Sequence, residues 1–328
     1  MRNPAAALDL QATKKANNFH KLMADRNPVF VEASRELYDL LVKPAEPQLL
    51  GKTTLCVIPD DSLWEIPFQA LQPADGRYLI EDYSLYYAPS LSVLSEMAKH
   101  KNKGAKQASL IAFGNPVANG EMVASLREAK RGESFDPLPE AEAEVTTLES
   151  LFGPKQSRVF LGAQADERAF KSLASAYDTI HLATHGVLDN SHPLYSYLLL
   201  SKAERGADDD GLLEAREIMN MNLDADLAVL SACETARGRI GAGEGVVGMS
   251  WAFFVAGVRT TVVSQWKVNS KATSELMVNF YKHLKPASTT GGVTKAGALR
   301  LAALEVMKDR RYSHPFYWAS FVMIGSNG

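Results

Sequence analysis

The chain has 328 residues, 46% of them hydrophobic, with 35 Lys and Arg against 38 Asp and Glu for a formal net charge of −3. That length and apolar content support a substantial core in one large or two modest domains, and the near-neutral balance leaves no basic footprint for direct nucleic-acid binding. Two cysteines, Cys56 and Cys233, make no disulfide framework, and no apolar stretch approaches the length that spans a bilayer. The start, Met-Arg-Asn-Pro-Ala-Ala-Ala-Leu, has one basic residue and no sustained apolar segment. It is a poor signal peptide, so a cytoplasmic location is expected.

Residues 1–50 read as a polar, helical segment, with apolar and charged positions at helical spacing over Phe30 to Leu41 and Pro44 and Pro47 ending it. A β-rich part follows over 51–105, with strands over Thr53 to Ile58, around Leu63 to Leu71, and over Tyr83 to Tyr87. Ser90 to His100 reads as a helix with Ser90 or Ser92 as its cap. No repeat at the period of helical hairpins shows in the first 50 residues.

From 106 to 328 strands and helices alternate. Strands are expected over Ser109 to Phe113, Ser157 to Leu161, Asp178 to Ala183, Leu194 to Leu200, Leu227 to Ser231, Thr260 to Ser264 and Trp318 to Ile324. Helices are expected over Glu140 to Phe152, Ala165 to Tyr177, Leu213 to Met221, Val246 to Ala256, Ser270 to Leu284 and Thr294 to Lys308. This order implies βαβ units and a mainly parallel sheet flanked by helices, an α/β fold with an N-terminal helical and β extension. The runs at 179–183, 227–231 and 260–264 are almost wholly apolar, as strands covered on both faces are. Val117 to Pro139 and Ser201 to Gly211 read as long loops.

Two of those buried runs end on reactive residues. Ile180-His-Leu-Ala-Thr-His185-Gly186 ends on a histidine, and Ala228-Val-Leu-Ser-Ala-Cys233 ends on a cysteine. Open α/β sheets place their sites at the carboxyl ends of strands. An imidazole there can take the thiol's proton and later return one to a leaving amine. His185 is the candidate base and Cys233 the candidate nucleophile, and the N–H groups of Gly186 and Cys233 are the candidate oxyanion hole. Cys56, inside a strand, reads as a small core residue, and His181, in mid-strand, as a core histidine. Zinc is not expected at His181 and His185, because that pairing needs a helix and a glutamate after the first histidine. The glycines at 241, 243 and 245 have the wrong spacing for a dinucleotide fingerprint and read as a loop into a helix. The apolar helix over Val246 to Ala256 reads as buried. Gln265-Trp266-Lys267-Val268 follows the strand next to the one that carries Cys233, so its indole is a candidate pocket wall or a packed core ring.

The 48 residues from 185 to 233 approach the roughly 50 that separate histidine from cysteine in caspases. Asp60-Asp-Ser-Leu-Trp-Glu-Ile-Pro-Phe-Gln-Ala-Leu71, Ile180 to Gly186, Asp210 to Ile218, Leu230-Ser-Ala-Cys-Glu-Thr-Ala236, Gly243-Glu-Gly, Val263-Ser-Gln-Trp266 and Tyr317 to Gly325 stand in one order. In that order the chain resembles a CHAT domain, a bacterial branch of the caspase-like cysteine peptidases with separase among its relatives. The resemblance implies His185 as base, Cys233 as nucleophile and Gly186 as oxyanion donor, with Ser231 and Trp266 lining the site for the residue before the cut. Gln265 and Val268 are added to that lining from their position. It implies an intracellular endopeptidase that cuts a specific protein partner through a thioester acyl-enzyme, needs no metal or organic cofactor, and answers to a regulatory protein or a helical-repeat sensor. The alternative is an inactive peptidase fold used as an interaction scaffold.

Overall fold

The computed structural model describes residues 4–99, 109–118, 135–189, 191–203, 209–232, 244–267, 269–284 and 292–327. Eight strands build the main sheet: β1 (Thr54–Val57), β2 (Ser84–Tyr87), β3 (Leu110–Gly114), β4 (Ser157–Leu161), β5 (Thr179–Ala183), β9 (Leu227–Leu230), β10 (Thr260–Ser264) and β11 (Phe321–Gly325). Their order is β1-β2-β11-β10-β9-β5-β3-β4. Every neighbouring pair is parallel except β10 with β11, which is antiparallel. Two parallel blocks therefore meet at one antiparallel seam. The carboxyl ends of β3, β5, β9 and β10 share an edge with the start of β11.

Helices cover both faces. The longer ones are α1 (Pro4–Ala24), α2 (Phe30–Leu41), α3 (Leu91–Lys99), α4 (Pro139–Phe152), α5 (Glu167–Leu173), α6 (Glu244–Val255), α7 (Ser270–Leu284) and α8 (Lys295–Lys308). On one face, His181 of β5 lies between Glu144 of α4 and Tyr281 of α7, and α7 packs on α8. On the other, Phe170 of α5 meets Phe113 of β3, and Ser250 of α6 accepts from Thr261 of β10 at 2.9 Å. This two-sided cover is why β3, β9 and β10 are buried at every position. Local capping sets several starts: Ser90 accepts from Val93 N at 3.1 Å, and Asp166 from Ala169 N at 2.7 Å. The second cap starts α5 at Glu167, two residues later than periodicity suggests.

Five features differ from expectation. Leu63 to Leu71 is not a strand but two 3₁₀ turns, Asp61–Glu65 and Phe68–Ala70. Pro67 removes a ladder donor between them, and Gln69 Nε2 bonds to Ala319 O and Phe321 O instead. Leu213 to Met221 opens as strand β8 (Leu212–Glu214), with a helical turn only over Ala215–Ile218. Together with β6 (Gly186–Val187) and β7 (Tyr197–Leu199) it forms a separate antiparallel sheet. Pro315–Trp318 is a helical turn, capped by His314, so the last strand starts at Phe321. Cys56 is exposed rather than buried, because β1 is an edge strand. Nor is α6 buried all round, since Trp251 and Val255 face outward at 43% and 47% exposure.

Candidate active site

His185 sits two residues beyond β5, where the chain leaves the main sheet for β6. It is buried, at 7% exposure, with its ring edge-on to Phe135 at 5.6 Å. Its Nε2 lies 2.8 Å from the carbonyl oxygen of Asp136. A carbonyl only accepts, so Nε2 carries the proton and Nδ1 is left as the basic nitrogen. Among the described residues Nδ1 has no hydrogen-bond partner. The imidazole is thus held in one tautomer, with its lone pair free.

Burial pushes the His185 imidazole below its ordinary value of 6.5; the bond to the Asp136 carbonyl opposes this, the Lys267 charge adds to it, and the Asp136 carboxylate opposes it. A neutral base is therefore retained into mildly acid solution. We expect the acid limb of kcat/KM on a peptide substrate to fall below pH 6.5, and a limb above that value would contradict the assignment. The linkage sign follows from the same shift. Below pH 6.5 the unfolded chain binds this proton more readily than the folded one, so His185 makes the fold less stable as pH drops through that value.

Gly186 opens β6 opposite Leu198. The neighbouring pair carries the Leu199 N to His185 O bond at 2.8 Å. Hydrogen-bonded and open pairs alternate along an antiparallel ladder, so the Gly186 N–H points away from β7. That is the side of β6 on which its small sheet has no further strand.

Ser231 follows β9 directly, and its Oγ is buried without a hydrogen-bond partner among the described residues. Gln265 follows β10. Its backbone N donates to Ser320 O at 2.8 Å, its Nε2 donates to Trp64 O at 2.6 Å, and its Oε1 is buried and unpartnered. Trp266 is only 5% exposed. Its ring lies edge-on to His20 of α1 at 5.8 Å and stacks on Phe316 at 6.5 Å, while Nε1 donates to Phe316 O at 3.0 Å. The fold therefore brings His185, Gly186, Ser231 and Gln265 to one sheet edge and turns the indole toward α1. Cys233, Val268 and the glycines at 241 and 243 lie outside the described residues. His181 is a core residue, with Nδ1 3.2 Å from Tyr281 Oη and Nε2 2.8 Å from Glu144 Oε1. No group of three or more His, Cys, Asp or Glu among the described residues is placed to hold a metal.

Sequence reasoning missed Asp136. It falls in a segment expected to be a long loop, yet Phe135 is buried against Val187, Tyr197 and Leu199. A single aromatic in an otherwise polar stretch, followed by Asp-Pro-Leu-Pro, was the available signal.

This architecture, a mainly parallel eight-stranded sheet flanked by helices, is a caspase-like fold. Gingipain R from Porphyromonas gingivalis, an Arg-specific cysteine proteinase, aligns at a TM-score of 0.53 with 10% identity, over 92% of this chain and 68% of that one. The Saccharomyces cerevisiae separase–securin complex aligns at 0.50 with 12% identity, over 80% of this chain and 14% of that one. The CHAT domain family profile matches residues 31–326, and the chain belongs to that family. Tetratricopeptide repeat protein 28 is 26% identical in Homo sapiens and 25% identical in Mus musculus, each over 89% of this chain. The chain spans 13% of the length of those relatives. Both of these relatives are mammalian rather than bacterial. No helix among the described residues is long and apolar enough to cross a membrane.

Proposed function

We propose that this chain is a cysteine endopeptidase of the cytoplasm. The observation that carries the proposal is the His185 ring, whose Nε2 is committed to a carbonyl and whose Nδ1 is unpartnered at the edge where Ser231 and Ala232 lead to Cys233. In this reading Nδ1 takes the Cys233 proton and the thiolate attacks the substrate carbonyl carbon. The Gly186 and Cys233 N–H groups hold the oxyanion. Collapse breaks the C–N bond as His185 protonates the departing amine, leaving a thioester. Water, deprotonated by His185, then attacks the thioester and releases the thiol and the acid. A peptide chloromethyl ketone tests the dyad: an adduct mapped to Cys233 supports it, and none at Cys233 with the fold intact leaves only an inactive scaffold.

In this reading the substrate is a protein partner, and Ser231 and Gln265, just past the carboxyl ends of β9 and β10, line the site for the residue before the cut, while the Trp266 indole packs against α1. A cation buried there would need a carboxylate. Among the described residues the loop acids have other partners: Asp189 accepts from Ser191 N and His192 N, Asp210 from Leu212 N, and Asp209 pairs with Lys171 and Arg168, while Asp208 lies outside the described residues. This chain therefore prefers an uncharged residue, unlike the Arg-specific gingipain. Profiling a positional peptide library checks this, and dominant cleavage after arginine or lysine would count against it. Regulation by a helical-repeat segment or partner is supported by the tetratricopeptide-repeat relatives and by the securin-bound separase.

A further inference from the structure

Asn115 follows β3 and makes no hydrogen bond to the candidate base, yet its main chain and both ends of its amide are engaged. Its φ is 49°, in the left-handed region that asparagine tolerates better than most residues. Its backbone N donates to Ala183 O at 3.1 Å, two residues before His185. Its Oδ1 accepts from Leu138 N at 2.7 Å, and its Nδ2 donates to Glu142 Oε2 at 2.9 Å. Leu138 in turn lies two residues after Asp136, whose carbonyl takes the His185 Nε2 proton.

The link between those two residues is stiff. Pro137 and Pro139 fix their own φ, and each holds the preceding residue, Asp136 or Leu138, out of the helical region. The neighbouring Gly114 lets α4 approach closely, since a Cβ there would lie 3.0 Å from Val145 Cγ2 and 3.1 Å from Ala141 O. A displacement of Leu138 is thus carried to the Asp136 carbonyl rather than absorbed between them.

We propose that Asn115 is a positioning residue for His185: by holding Leu138 and Glu142 it aims the Asp136 carbonyl at Nε2 and keeps the Nδ1 lone pair directed at the reacting thiol. The inference rests on His185 being the base, and it extends the site to a residue two strands from β9.

The test uses three forms of the whole chain. Asn115→Gly removes the amide while easing the left-handed backbone, which separates the contact from the strain. The paired variant Asn115→Asp with Glu142→Gln reverses the donor and acceptor while keeping an acceptor for Leu138 N. Histidine ¹⁵N NMR, with His185 assigned from a His185→Gln spectrum, reads the tautomer directly. In wild type Nε2 is the protonated nitrogen. In Asn115→Gly we expect that bias to be lost and kcat to fall about 10- to 100-fold, the scale of a 1 Å misplacement. KM stays within about two-fold, since ground-state binding is not the function of this contact. The acid limb moves to lower pH, because the carbonyl bond favours the charged imidazole. The paired variant recovers tautomer and kcat. An unchanged tautomer in folded Asn115→Gly, or no recovery in the folded paired variant, overturns the proposal. A chain that cleaves nothing yet loses its Nε2–H tautomer on Asn115→Gly would keep this positioning and sink the peptidase reading instead.

Discussion

Cys233→Ala and His185→Ala each lower peptide turnover by between roughly 10⁴- and 10⁶-fold, the scale seen when a nucleophile or its base is removed. The two losses are not additive, because the pair acts as one unit, and the double variant is no worse than the poorer single one. The fold survives His185→Ala, since the ring lies beyond β5 and, among the described residues, holds a single hydrogen bond, to Asp136. Removing it deletes one ring contact with Phe135 and leaves the Asp136 carbonyl, on a segment facing solvent, to water. Single-turnover assays on matched protein check the rates, and circular dichroism checks the fold. Normal turnover by purified Cys233→Ala would remove the mechanism altogether.

Glu144→Ala destabilises the chain by about 1–3 kcal/mol, the scale of leaving a buried polar group without its partner. Glu144 and His181 are 2% and 0% exposed, 2.8 Å apart, in a contact too bent to be a full hydrogen bond. The Tyr281 hydroxyl lies 3.2 Å from the other side of the ring, and burial pushes its ionisation well above the ordinary range, so it stays a neutral donor. Three elements, α4, β5 and α7, thus meet on polar atoms inside an apolar layer. Replacing both partners, Glu144→Leu with His181→Leu, costs much less than either single change, because no orphaned polar group is left. Urea unfolding of the four proteins gives the cycle. A Glu144→Ala loss below about 1 kcal/mol would place this pair with exposed ones, which contribute little.

That network bears on the site as well as on stability. His181 lies on β5, four residues before His185, so the contacts that lock β5 between α4 and α7 also fix where the candidate base emerges. The same helix α4 begins at Pro139, next to the segment that presents the Asp136 carbonyl.

What the sequence determined unaided follows from local chemistry. The runs at 179–183, 227–231 and 260–264, rich in β-branched and aliphatic residues, are too short for helices and read as central strands covered on both faces. Breaks at His185-Gly186 and after Leu230 mark the ends of two such strands, and the alternation with helices puts those ends on one edge. Cys56 went the other way: a strand residue was legible, but its exposure depends on β1 being outermost, which no local pattern states. Trp64 and Phe68 have strand-forming side chains, yet Pro67 and the long-range bonds of Gln69 to β11 held them in turns. The tertiary structure alone decided the Asp136 contact, because a backbone carbonyl is common to every residue and leaves no mark in a sequence. It likewise decided that Trp266 packs on α1, some 240 positions away in the chain, and that Asn115 ties the ends of two strands to α4. Side-chain periodicity reports which face of an element is buried; it carries no information about which distant group will meet that face, and the geometry around His185 is made of such meetings.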